Sequence, residues 1–240
     1  WFLIGGFTLF IANQIQMVVL GWQVYTLTQN PLSLGLIGLS EALPFLSLTL
    51  FGGYLADRFD RKTLCLLSLL PILAGGLLLV VSNWNTSTQQ VWIFYGAQAL
   101  GGVGRAFFRP AYQALAADLV PKESYVNAST MRSSTFHISM VIGPVLGGFL
   151  IPLGYRMAYA FVCILIFCTL ISYLKIQPLV RFKKEVSDET RFFDGVRFVF
   201  KEKIVLGALT LDLFAVLFGG ATSLLPIFAR DILQVGEKGF

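Results

Sequence analysis

Long stretches of apolar residues, separated by shorter polar segments, run through most of the 240-residue sequence. Seven of these stretches come close to or exceed the roughly 20 residues that an α-helix needs to cross the ~30 Å hydrocarbon core of a bilayer. Backbone amides in lipid must be hydrogen-bonded within their own segment, so each stretch is predicted to be a helix. The predicted spans are 2–26, 34–56, 63–81, 91–115, 129–152, 157–174 and 204–228.

The composition excludes most other classes of protein. Hydrophobic residues make up 56% of the chain and charged residues only 13%, about half of the roughly 25% that is usual in soluble domains. A soluble domain of this length cannot bury so many apolar side chains, which argues against a water-soluble enzyme or a nucleic-acid binder. One His and three Cys leave little material for a metal centre or a haem, so we expect no metal and no cofactor.

Lysine and arginine are distributed unevenly between the two sides of the predicted membrane domain. The segments that follow the second, fourth and sixth spans, with their flanks, hold thirteen, and the opposite side holds three: Arg156, Arg230 and Lys238. The positive-inside rule therefore predicts a cytoplasmic amino terminus. The net charge of +5 reflects this topology, and nucleic acid is not an expected partner.

A long charged connection divides the predicted spans into two groups. We predict a six-helix transmembrane bundle over 1–176, a cytoplasmic linker over 177–203, and the first helix of an incomplete second bundle over 204–240. Within the linker, Phe192, Val196, Val199 and Phe200 share one face of an amphipathic helix, which either orders the linker or has a regulatory role. Because the sequence starts without Met inside an apolar run, we interpret it as a piece of a longer protein.

Few charged residues lie at membrane depth, and each is a functional candidate because a charge in lipid is costly. Arg105 and Arg109 lie in the fourth span with Gln98, at a spacing that puts them on one helical face. That face cannot contact lipid, so we expect it to line a polar cavity. The candidate cavity or substrate residues are Asn13, Gln16, Trp22, Gln23, Gln98, Arg109 and His137.

Glu41 and Arg105 are the candidates for proton coupling. A low-dielectric site disfavours the charged form of a carboxyl group, so Glu41 is able to exchange protons, and a nearby Arg105 would oppose that effect. Two other interpretations stay open: the two residues form a structural pair, or Glu41 is hydrated near the outer surface. For His137, a hydrogen-bonded packing role fits better than a proton relay.

Two motifs carry a family resemblance. Residues 53–62 read GYLADRFDRK, which resembles the loop between helices two and three of the major facilitator superfamily, G-x-L-A-D-R-x-G-R-K, at nine of ten positions. Residues 139–148 resemble the fifth-helix motif of that superfamily's antiporters, G-x-x-x-G-P-x-x-G-G, with Ser139 at the first Gly. The candidate gate residues are Gly53, Asp57, Arg58, Arg61 and Lys62, and the antiporter-type residues are Ser139, Gly143, Pro144, Gly147 and Gly148.

Shorter segments, 41–44, 109–111 and 225–229, resemble the bacterial exporter branch that includes the enterobactin exporter and macrolide efflux proteins. This resemblance implies an all-α transmembrane fold in the bacterial inner membrane, with no enzyme activity. It implies proton-coupled efflux of a small amphiphilic molecule (drug, macrolide or siderophore-like) by alternating access, for which a second, C-terminal half is needed. Asp57 and Arg61 would then close the cytoplasmic gate against helix eleven, and the fifth-helix glycines would seal or hinge a helix interface.

Other functions remain possible at this point. An importer or a uniporter of the same superfamily would have the same motifs, because transport direction depends on details of the coupling. A seven-helix receptor fits the number of spans. However, the span 204–228 contains no lysine for a retinal Schiff base, and the charge distribution opposes an extracellular amino terminus.

Overall fold

The computed structural model describes residues 1–84, 91–177, 201–204, 206–208 and 210–211. Each of the first six predicted spans is a helix. The helices are α1 (Phe2–Thr28), α2 (Pro31–Arg58), α3 (Arg61–Ser82), α4 (Val91–Asp118), α5 (Tyr125–Leu150) and α6 (Tyr155–Leu174), and short 3-10 turns cover Lys122–Ser124 and Ile151–Leu153. The amphipathic linker helix and most of the seventh span fall outside the described residues, and the domain boundaries proposed there stay predictions.

The helices confirm an all-α membrane fold. Five of them, α1, α2, α3, α5 and α6, are long and apolar enough to cross a membrane. The remaining helix, α4, has 28 residues and is less apolar because it carries Gln98, Arg105 and Arg109. The chain is therefore a multi-pass membrane protein.

Very short connections force the first three helices to be antiparallel. Only Gln29 and Asn30 separate α1 from α2. Gln29 adopts a left-handed conformation with φ of 49° and closes α1 by donating its backbone N–H to the Tyr25 carbonyl. The Asn30 side chain then accepts from the Leu32 N–H at 3.0 Å and caps α2.

Asp60 is the one departure from the family motif in residues 53–62, and the structure shows what its side chain does. Its Oδ2 accepts from the Thr63 backbone N–H at 2.8 Å and from the Thr63 hydroxyl at 2.6 Å, which caps the start of α3. A glycine at this position could turn the chain but could not supply this cap. The Asp60 side chain thus orders the connection between α2 and α3, at a position where the motif has a conformationally flexible glycine.

The helices pack in a pattern with internal two-fold symmetry. The principal neighbours are α2 with α4, α3 with α4, α1 with α5, α1 with α6, and α3 with α6. If α1, α2 and α3 are exchanged with α4, α5 and α6 respectively, the first four pairs are converted into one another and the pair of α3 with α6 is converted into itself. This is the arrangement expected of two inverted three-helix repeats, in which α1 and α4 occupy equivalent positions.

Small residues let α5 approach α1 closely. A Cβ added at Gly143 would overlap the Cβ of Gln14, and one added at Gly147 would lie 3.2 Å from the Cβ of Val18. Ser139 is fully buried in the same row. The antiporter-type motif therefore lies at a tight helix contact, as small-xxx-small spacing indicates.

Candidate functional site

A cavity of about 220 Å³ lies between α1, α2, α4 and α5. Aromatic side chains of Phe10, Phe108 and Phe136 form part of its wall. Its polar wall contains seven of the residues that the sequence singled out, namely Asn13, Gln16, Glu41, Gln98, Arg105, Arg109 and Ser139. The residues that share this spacing along α4, Gln98, Arg105 and Arg109, lie together in the wall of the cavity, and exposure of such a polar face to lipid would be costly.

Five of these residues form one connected polar network. Gln16 Nε2 donates to Gln98 Oε1 at 2.8 Å, and Gln98 Nε2 donates to Glu41 Oε2 at 3.1 Å. Arg105 Nε lies 2.8 Å from Glu41 Oε1 as an ion pair. Arg105 Nη1 donates to Asn13 Oδ1 at 3.1 Å. We call Asn13, Gln16, Glu41, Gln98 and Arg105 the polar network; it joins α1, α2 and α4.

The polar network has unused hydrogen-bonding capacity. Gln16 Oε1 and Arg105 Nη2 are buried and have no hydrogen-bond partner among the described residues. A buried donor or acceptor without a partner is costly, so water or a bound molecule in the cavity is the natural partner. The Glu41 side chain, by contrast, keeps 37% of its surface exposed within the described residues.

Gly102 allows α2 to approach α4 at the polar network. A Cβ added there would overlap the backbone carbonyl oxygen of Glu41 and would lie 2.9 Å from Pro44 Cγ. The two helix backbones are therefore in direct contact beside the carboxylate. This contact brings Glu41 within reach of Gln98 and Arg105.

Three predicted cavity residues lie elsewhere. Gln23 is two helical turns beyond Gln16, about 10 Å along α1. Its Nε2 donates to Asn83 Oδ1 at 2.6 Å, and its Oε1 accepts from the Tyr159 hydroxyl at 2.7 Å. Trp22 beside it is buried as well. At this level α1 faces α3 and α6, so neither residue lines the cavity.

His137 also does not line the cavity. Its side chain is exposed, and its ring packs edge-on against Phe136 with the centroids 5.6 Å apart. The neighbouring position Phe136 is the one that reaches the cavity. A helix turns by about 100° per residue, so the step from Phe136 to His137 directs the His137 side chain to a different side of α5.

Two of the candidate gate residues, Arg61 and Lys62, contact the ends of α4 and α6. Arg61 Nη1 pairs with Asp118 Oδ1 at 2.5 Å and donates to the Ala114 carbonyl at 3.1 Å, so it ties the start of α3 to the end of α4. Lys62 Nζ donates to the Leu174 and Ile176 carbonyls, each at 2.8 Å, which caps the end of α6. Asp118 was not recognised from the sequence, because its role depends on which helix lies beside α3.

Asp57 is thus left exposed at the end of α2, and its carboxylate has no hydrogen bond or ion pair within the described ranges. Closeness in sequence suggests Arg61 and Lys62 as partners of Asp57, but in the described structure both are engaged elsewhere. Arg58 lies over the Tyr54 ring, 4.6 Å from its centroid. Gly53 could be expected to permit close helix approach, but a Cβ added there would meet nothing within 4 Å; the close approach is at Gly52, where an added Cβ would overlap the Ala106 carbonyl oxygen of α4.

A comparison with known protein families identifies the family of this chain. The sequence profile of the Major Facilitator Superfamily matches residues 2–240. The chain belongs to the Major Facilitator Superfamily. Membership in this superfamily agrees with the two inverted repeats, the motif in residues 53–62 and the small-residue motif in α5.

Individual members of the superfamily are similar over parts of the chain. The chain is 27% identical over 148 residues to the Staphyloferrin A transporter of Staphylococcus aureus, which covers 62% of this chain and 37% of that protein. It is 28% identical over 189 residues to Multidrug resistance protein MdtH of Salmonella paratyphi B, covering 77% and 44%. It is 33% identical over 103 residues to a Na(+), Li(+), K(+)/H(+) antiporter of Planococcus maritimus, covering 42% and 24%. In each case the match spans less than half of the relative.

Proposed function

We propose that this chain is the N-terminal part of a secondary active transporter that exports a small amphiphilic molecule in exchange for protons. It would lie in the bacterial inner membrane with its amino terminus in the cytoplasm. The observation that carries the proposal is the polar network around Glu41, which faces a cavity inside a Major Facilitator Superfamily bundle. The names of the relatives, which include a multidrug resistance protein and a cation/proton antiporter, support both export and proton exchange.

Glu41 is the proposed proton carrier. As a carboxylate it holds Arg105 in an ion pair and accepts from Gln98. When a proton binds to Glu41, the negative charge that holds Arg105 is lost. Because these side chains come from different helices, the change in charge alters the contact between α2 and α4 at their crossing point. A molecule in the cavity would act on the same contacts, which couples its binding to protonation.

The cavity walls indicate the class of molecule that is carried. Of the charged side chains in the described lining, Arg105 and Arg109 are positive and Glu41 is negative, which leaves a net positive charge. A permanent cation is therefore disfavoured by like-charge repulsion. The aromatic rings of Phe10 and Phe108 favour an apolar body, so an uncharged or weakly anionic amphiphile fits best.

An efflux assay tests this function. The full-length protein is expressed in a bacterial host that lacks its own drug pumps, and the cells are loaded with the uncharged fluorophore N-phenyl-1-naphthylamine. We expect energised cells to extrude the fluorophore, and we expect a protonophore to stop the extrusion. Extrusion that continues at the same rate after the proton gradient has collapsed would contradict proton exchange. A fluorophore content equal to that of the empty-vector cells would contradict export of this class.

Asp57 is proposed to act at the cytoplasmic gate, because it is exposed at the end of α2 and unpaired within the described part. We expect Asp57→Asn to lower the maximal efflux rate about tenfold, the effect of losing one charge-assisted contact. The concentration for half-maximal efflux should change less than twofold, since Asp57 does not line the cavity.

Asp60→Asn is the matched control for this variant. Asp60 is an exposed carboxylate in the same segment, and asparagine caps a helix as well as aspartate does. Its kinetics should resemble those of the parent. A loss of apparent affinity without a loss of maximal rate in Asp57→Asn would count against a gate role.

A further inference from the structure

Gly101 lies one helical turn before Arg105 on α4, and the guanidinium of Arg105 folds back over it. A Cβ added at Gly101 would lie 2.6 Å from Arg105 Nη2, 3.2 Å from Cζ and 3.5 Å from Nη1. The first of these distances is shorter than any van der Waals contact between carbon and nitrogen. Any residue other than glycine at position 101 would therefore move the guanidinium.

The guanidinium of Arg105 makes two contacts within the polar network, and both depend on its position. Arg105 Nε lies 2.8 Å from Glu41 Oε1, and Arg105 Nη1 lies 3.1 Å from Asn13 Oδ1. Both nitrogens belong to the same rigid plane as the Nη2 that rests on Gly101. Nη2 can move only if this plane shifts or turns, which displaces Nη1 and displaces or redirects the Nε–H.

We propose that Gly101 is a positioning residue for proton exchange: the absence of its side chain sets where the Arg105 guanidinium meets the Glu41 carboxylate. The inference rests on the proposed function of Glu41 and deepens it. It concerns an interaction within α4, so it is distinct from the packing roles of the other glycines in that helix.

The neighbouring glycines of α4 contact other helices. A Cβ added at Gly102 would meet the backbone of α2 at Glu41, and one at Gly104 would meet Ser68 and Ile72 of α3. At Gly101, by contrast, the three nearest atoms all belong to the flexible end of Arg105. Replacing Gly101 by alanine should consequently change the polar network and leave the helix packing intact. Alanine also favours a helix more than glycine does, so folding is not expected to suffer.

The test compares Gly101→Ala with Gly96→Ala in the full-length protein reconstituted into proteoliposomes. Gly96 lies on the same helix, and a Cβ there meets nothing within 4 Å. The probe is N-phenyl-1-naphthylamine, and two rates are measured: accumulation driven by an imposed proton gradient, and counterflow without a gradient. For Gly101→Ala we expect proton-driven accumulation to fall about tenfold, the effect of losing one charge-assisted hydrogen bond. Counterflow should stay within about twofold, and Gly96→Ala should keep both rates.

A second comparison shows whether Gly101 acts through Arg105. In an Arg105→Lys background the planar guanidinium and its Nη2 are absent, so Gly101→Ala should cause no further loss of proton-driven accumulation. A full additional loss in that background would overturn the inference. An equal fall of both rates in Gly101→Ala alone would also overturn it, because it would indicate a packing defect.

The failure of this inference can be told apart from failure of the proposed function. If Glu41→Gln loses proton-driven accumulation while Gly101→Ala keeps the parental rate, only the role of Gly101 is overturned. If Glu41→Gln itself keeps the parental rate, the role of Glu41 is wrong, and the role inferred for Gly101 is overturned with it.

Discussion

Replacing Glu41 with glutamine should abolish accumulation driven by a proton gradient and leave counterflow within about twofold of the parental rate. Glutamine keeps the length of the side chain, and its oxygen can still accept from Gln98 or Arg105, but it cannot bind and release a proton. Accumulation needs proton exchange in every cycle, whereas counterflow needs only the movement of the substrate-loaded protein. The two rates, measured on the same proteoliposomes with the same probe, therefore separate coupling from transport.

Glu123→Gln is the control for Glu41→Gln. Glu123 is an exposed carboxylate in the 3-10 turn between α4 and α5, remote from the lining of the cavity. This variant should keep both rates, which would show that the loss of one negative charge has no general effect. Proton-driven accumulation at the parental rate in Glu41→Gln would remove Glu41 from the coupling mechanism.

The second large effect is expected at the crossing of α2 and α4. Gly102→Val would place a branched side chain where the Glu41 carbonyl and Pro44 already lie. Overpacking of this kind costs about 1–3 kcal/mol, and more when the obstacle is backbone. We expect the midpoint of thermal unfolding in detergent to fall by about 5–10 °C, given roughly 2–4 °C per kcal/mol for a protein of this size. Loss of the monodisperse gel-filtration peak on heating is the measurement.

Gly96→Val is the matched control for Gly102→Val. Both substitutions are made in α4 and carry the same change in helix propensity, but a side chain at Gly96 enters open space. If the two variants unfold at the same temperature, α2 and α4 do not cross at Gly102 in the manner described.

Which segments cross the membrane could be predicted from the sequence because hydrophobic length decides it. The predicted ends of the helices were less accurate, since hydrophobic length alone does not show where a helix is capped. The second span was predicted to start at residue 34, but Asn30 caps a helix that starts at Pro31. The fifth was predicted to start at residue 129 and starts one turn earlier, at Tyr125.

The candidate site could be predicted in part. The period of polar residues along α4 indicated the cavity face, and Glu41 was the one acidic residue deep in the first six spans. The pairing of Glu41 with Arg105 was an open alternative, and the structure brings the two together. Whether this pair also carries protons stays a prediction.

Other contacts depend on which helices are neighbours, and a single sequence does not contain that information. The Arg61–Asp118 ion pair requires α3 to lie beside α4, and the contact between Gln23 and Tyr159 requires α1 to lie beside α6. Nothing in the local sequence marks Asp118 or Tyr159 as a partner. Gln23 was assigned to the cavity because it continues the polar stripe of α1, but that stripe passes from one set of neighbours to another along the helix.

The central claim is that Glu41 exchanges a proton during each transport cycle. The most direct test is to trap the pH-sensitive dye pyranine inside proteoliposomes that contain the full-length protein, and to add N-phenyl-1-naphthylamine outside without any imposed gradient. The account predicts a substrate-induced change of internal pH with the parent protein and none with Glu41→Gln, although both variants move the probe. An equal pH change with the two proteins would contradict it.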